Sequence, residues 1–191
     1  MTGRTHDLAA FTALGFILVT QPIPHMSLAT VLVAFSANMI GGLAPDIDQP
    51  TADLWHKLPA GGLYSRLFTP FLGGHRNISH SLIGVVLFGW IAKMLLDLAS
   101  HSLLVNMNAV WWAFMIGFVS HLVMDTITRE GVPWLFPIPI RFGIPPIAFL
   151  RVKTGGLVEK FIVYPGLLLC NGYIFYTHYH QAIKFLHEYI K

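Results

Sequence analysis

Residues 109–125 read AVWWAFMIGFVSHLVMD. The first eleven of them carry no charge and include no proline, so a long apolar helix is the natural reading. The stretch then ends in His121 and Asp125, four residues apart and therefore on one helical face, one turn from each other. Imidazole and carboxylate are costly beside lipid and mark function by default. A membrane helix that finishes in a metal-capable pair sets the expectation for the rest of the chain, although a His–Asp hydrogen bond made only for packing is the competing reading of the pair alone.

Working outward, further apolar segments occupy residues 8–20, 27–43, 81–99 and 161–176. A bilayer span needs roughly 20 residues, and several of these are shorter, so four or five spanning helices are expected. With 54% hydrophobic and 11% charged residues and a mean hydropathy of +0.62, the 191-residue chain lies outside the balance of a soluble domain. No linker, repeat or low-complexity tract divides it, which predicts one all-α unit over residues 1–191, a compact multi-helix bundle embedded in the membrane. The first thirty residues resemble a secretory signal, but Asp7 and the immediate second apolar run favour a retained anchor. The single Cys170 permits no intramolecular disulfide and no cysteine-based zinc site. A net charge of +3, spread without a basic stripe, gives no support for direct nucleic-acid binding.

If all five segments cross, the amino terminus and the loops at 45–80 and 126–160 share one side. That side holds Arg4, Lys57, Arg66, Arg76, Arg129, Arg141, Arg151, Lys153 and Lys160, against Lys184 and Lys191 on the other. The excess predicts that it is cytoplasmic. The same face collects three polar islands, namely Pro45-Asp46-Ile47-Asp48, His75-Arg76-Asn77-Ile78-Ser79-His80-Ser81 and Ser120-His121-Leu122-Val123-Met124-Asp125, together with His6.

In the first island the prolines predict an extended or turned backbone, in which Asp46 and Asp48 point to the same side and flank a metal; a hydrated turn with a capping aspartate is the alternative. His75 and His80 do not align on one helical face, so a loop leading into a helix suits them, with Ser79 as its cap. Arg76 offers a planar fork for phosphate, or simply a positive-inside anchor. His6 is a further candidate ligand, competing with a solvated terminal histidine. Glu130, Glu159 and Glu188 fall outside the islands. Nucleophile elbows and phosphate loops are absent from the sequence.

Pro45-Asp46-Ile47-Asp48, the His75-Arg76-x-x-Ser79-His80-Ser81 block and Ser120-His121-x-x-x-Asp125, followed by Gly131-Val132-Pro133 and Pro137, closely resemble the YdjM-like inner-membrane proteins. That family is described as membrane-bound metal-dependent hydrolases, and it looks distantly similar to helical zinc phospholipase C and P1-type nucleases. The resemblance implies two or three divalent ions, zinc first with manganese or magnesium as alternatives, held by His6, Asp46, Asp48, His75, His80, His121 and Asp125. It implies cleavage of a phosphoester, lipid-linked for instance, by a metal-activated water in the bacterial inner membrane. Asn77 and Ser79 stand where the family block usually has Gly and Thr; Asn tolerates a left-handed backbone and Ser keeps the hydroxyl. A non-enzymatic metal-binding membrane protein, acting as a regulatory or interaction partner, is the other function class.

Overall fold

The computed structural model describes residues 1–21, 26–49, 55, 62–63 and 76–189. Among them regular structure is helical: α1 (Gly3–Thr20), α2 (Leu28–Leu43) continued by a 3-10 turn (Ala44–Asp48), α3 (Leu82–Ala99), α4 (Met107–Thr126), a π-turn (Glu159–Val163) running into α5 (Tyr164–Thr177), and α6 (Tyr179–Tyr189). Among the described residues the only bridges are isolated pairs, Thr128 with Val152 and Val132 with Phe142.

Three helix starts, those of α2, α3 and α4, are set by capping side chains. Ser27, Ser81 and Asn106 sit in extended conformation and accept hydrogen bonds from the amides of Thr30, Gly84 and Ala109, which satisfies donors that have no partner within the helix. The cap of α3 is therefore Ser81, not the expected Ser79, whose hydroxyl is used elsewhere.

Helices α1, α2 and α4 pack on one another as the core, with α3 on α4 and α5 on α1. The α2–α4 contact is very close. A Cβ on Gly41 would lie 2.1 Å from the Phe114 carbonyl oxygen, and one on Gly117 would lie 2.1 Å from that of Asn38. Small residues let the backbones touch, and Asn38 Nδ2 donates to the Ala113 carbonyl at 2.9 Å across the same seam.

Among the described residues three helical stretches are long and apolar enough to cross a membrane, against the four or five expected: Leu28–Asp48, Leu82–Ala99 and Met107–Thr126. Helix α3 is buried over only 17% of its span, and Val86, Leu95 and Leu98 point outward. Such a face suits hydrocarbon, not water.

Contacts between termini give the alternation of the helices. Met1 touches Asp125, Asp46 and Asp48 approach His80, and Thr2 touches Glu159, so the starts of α1, α3 and α5 share one end of the bundle with the ends of α2 and α4.

Candidate metal centre

The end of α4 supplies His121 and Asp125, both fully buried. The ring of His121 is fixed by its Nδ1–H, which donates to the Gly42 carbonyl at 2.7 Å. Its Nε2 lone pair then has no hydrogen-bond partner among the described residues, and it faces Asp46 Oδ1 at 3.5 Å and Asp125 Oδ2 at 3.7 Å.

His80 is built the same way by different means. The Ser79 hydroxyl donates to Asp48 Oδ2 at 2.5 Å, so its oxygen accepts from His80 Nδ1–H at 2.9 Å. The opposite nitrogen, Nε2, is directed at Asp46 Oδ1 (3.6 Å) and Asp125 Oδ2 (3.7 Å). Two imidazole lone pairs and two carboxylate oxygens thus converge, an arrangement that repels itself unless a cation or a proton lies between them. In the bare protein the carboxylates favour the proton: burial opposes charge on His80, but the hydrogen bonds and charges of Asp46 and Asp48 outweigh it and raise its pKa.

The donor set fits a divalent ion. Four edges of 3.5–3.7 Å are close to the about 3.4 Å separating ligands of a tetrahedral zinc with bonds of 2.0–2.1 Å. Each histidine has its other ring nitrogen tied to an oxygen, the outer-shell pattern of metal-binding histidines. Ligand atoms of His80, His121 and Asp125 lie within 4.8 Å of one another, as do those of His6, Asp46 and His121. The two groups share His121, whose one available lone pair serves one ion.

His6 is buried, not solvated: its ring stacks on His121 with centroids 3.6 Å apart. His6 Nε2 lies 2.9 Å from the Met1 amine, which also contacts Asp125 Oδ1. His75 lies outside the described residues.

Three expectations for the islands are corrected. The aspartates sit in a 3-10 turn instead of an extended stretch, because Pro45 is tolerated in a first helical turn. With three residues per turn, Asp46 and Asp48 diverge. Asp46 meets the histidines, while Asp48 lies behind His80 and also accepts from the Arg76 amide at 2.8 Å. The left-handed residue of the block is Arg76 (φ 59°) and not Asn77. Finally, the Arg76 fork is turned inward and buried: it reaches Asp125 Oδ2 at 2.5 Å, Thr128 Oγ1 and the Gly131 carbonyl at 3.2 Å each, and Glu130 at 3.3 Å. Its donors hold Asp125 and the chain after α4.

Glu159, set aside on sequence, is buried at the same end. Its Oε1 accepts from the Thr2 amide and from the hydroxyls of Thr2 and Thr5 at 2.7–2.8 Å, and its Oε2 from the Gly155 amide at 2.7 Å. Burial alone would raise this carboxyl; the hydrogen bonds outweigh it and lower the pKa to about 2. Glu159 therefore fastens the start of α1, and with it His6, to the start of α5. A threonine pair at positions 2 and 5 is the sole trace of this in the sequence.

The family profile described as YdjM inner membrane protein matches residues 1–184. The chain is 32% identical over 180 residues to YvsG of Bacillus subtilis (strain 168), covering 94% of this chain and 98% of that one. It is also 32% identical over 163 residues to the inner membrane protein YdjM of Escherichia coli (strain K12), covering 85% of this chain and 77% of that one. The inner membrane protein YdjM of Shigella flexneri matches to the same extent. No solved structure matches the chain.

Proposed function

We infer that this chain, which belongs to the YdjM inner membrane protein family, is a membrane-bound metal-dependent hydrolase acting on a phosphoester. The observation that carries the reading is the convergence of His80 Nε2 and His121 Nε2 on Asp46 Oδ1 and Asp125 Oδ2, with the remaining ring nitrogens tied. These four residues would hold one divalent ion, zinc by the chemistry of the donors, with manganese as the alternative. Such an ion supplies a water of lowered pKa and offsets charge on a phosphoryl oxygen.

The protein's own groups orient the ligands. Asp48 and Ser79 hold the tautomer of His80, the Gly42 carbonyl holds that of His121, and Arg76 restrains Asp125. Asp46, whose side chain is 21% exposed, is the only one of the four ligands with access to the exterior, so a substrate would approach over it. The excess of lysine and arginine in the flanking loops supports a cytoplasmic orientation for this end of the bundle.

A second reading, a structural or regulatory ion in a non-catalytic membrane protein, draws on the burial of His80, His121 and Asp125 and on the inward turn of Arg76. Metal analysis of the detergent-purified chain, followed by phosphodiester hydrolysis with bis(4-nitrophenyl) phosphate, separates the two. Stoichiometric metal that is lost in His121→Ala and Asp46→Ala, with hydrolysis abolished by chelation and restored by zinc or manganese, is the expected result. Bound metal without hydrolysis selects the second reading, and a folded protein that takes up no metal overturns both.

A further inference from the structure

The starts of α1 and of the Glu159–Thr177 helix enclose a pocket of about 500 Å³, lined by Thr2, Thr5, Glu159, Arg4, Lys160 and Tyr164. Arg4 and Lys160 are exposed and form no ion pair among the described residues, and Glu159 already has its oxygens engaged by Thr2, Thr5 and Gly155. One turn further along the same two helices begins a groove of about 760 Å³ with α4 as its third wall. Its lining is almost wholly apolar, with Ala13 and Phe16 from α1, Trp112 and Val119 from α4, and Leu167 and Ile174 from α5.

Two exposed cations and then an apolar groove follow one another in the order of a lipid. From Arg4 to Ile17 the helix rises about 20 Å, against about 15 Å for one leaflet of the hydrocarbon core. A groove facing lipid fills with a hydrocarbon chain in any case; the two unpaired cations at its mouth decide which headgroup accompanies it. We propose that the cleft between α1 and α5 binds one anionic phospholipid, with its phosphate against Arg4 and Lys160 and one acyl chain in the groove beside Trp112. The lipid site stands on this cleft alone and does not depend on a metal-bound or catalytic centre.

Native mass spectrometry of the full chain in detergent, titrated with phosphatidylglycerol, phosphatidylcholine or glycerol 3-phosphate, tests it. One phosphatidylglycerol should bind per chain. Removing both cations in Arg4→Gln/Lys160→Gln should weaken it about 30-fold, from about a kilocalorie per mole for each cation at an anionic interface. Filling the groove in Ala13→Phe should also displace it, while Arg4→Lys should retain it. Metal content and melting temperature, measured on each variant, identify a misfolded one, and the Arg4→Lys comparison then carries the charge argument. Equal binding of phosphatidylcholine, unchanged binding in the folded double variant, or glycerol 3-phosphate binding as tightly as the lipid would each overturn the proposal.

Discussion

Ser79 has one proton, and it goes to Asp48; the serine oxygen is then left to receive the Nδ1–H of His80. This small relay decides which nitrogen of the histidine looks toward Asp46 and Asp125. Removing the hydroxyl in Ser79→Ala should weaken zinc binding about 10- to 100-fold, as loss of an outer-shell partner does, and Ser79→Thr should keep it. Competition with a chelator measures both, and an alanine variant with full affinity would take Ser79 out of the site. Glu159 gives a second prediction. Its folded pKa of about 2 lies below the ordinary 4.5, so its contribution to stability is present above the ordinary value and is lost as pH falls from there toward 2. The shift corresponds to an upper bound of about 3 kcal/mol. Thermal melts of wild type should fall across that acid window, whereas Glu159→Gln should melt lower at neutral pH and change less on acidification.

Helices α2, α3 and α4 were legible in the sequence because each is an apolar run with a capping residue at its start: the runs at 27–43 and 81–99 correspond to α2 and α3 nearly residue for residue, whereas α6, which is not an apolar run, was not. The π-turn at Glu159–Val163 was not, since a wider helical turn changes no residue type. Within the islands, residue types announced metal chemistry, but their roles depended on local geometry that composition does not carry. Asp46 and Asp48 parted because a 3-10 turn replaced an extended strand, and Glu159 was invisible because Thr5, which it binds, lies 154 residues away. Asn38, Gly41 and Gly117 likewise look like ordinary helix residues until the seam between α2 and α4 is seen. A side chain on Gly117 would strike the Asn38 carbonyl, and both helices carry ligands just beyond this contact. Gly117→Val should therefore cost at least about 3 kcal/mol and strip metal from the site, whereas Gly166→Val, at a glycine with open space around it, should spare the metal. Melting and metal content of the two variants check this, and equal metal loading would show that the seam does not position the centre.

For the molecule as a whole, alternation of the helices puts the ligands and the segment from Ile127 to Val158 at one end, and the turn between α3 and α4 at the other. In the proposed orientation, with the candidate ligands at the cytoplasmic end, a Ser102→Cys variant in a Cys170→Ser background should react with an impermeant maleimide added outside spheroplasts. Thr154→Cys should react only after lysis, and the reverse pattern would invert the orientation. The same alternation scatters the site along the chain: His6 lies in the first turn of α1, Asp46 follows α2, His80 precedes α3, and Asp125 lies at the end of α4, while the buckle that fastens Thr2 and Thr5 waits for Glu159. During biosynthesis the nascent chain must accordingly deliver four helices before the last of these residues leaves the ribosome, and the segment up to Glu159 before the first is locked in place. In the proposed reading ion uptake is a late step of maturation, and a translation product truncated before Asp125 carries the oily helices into the bilayer without a complete set of candidate ligands.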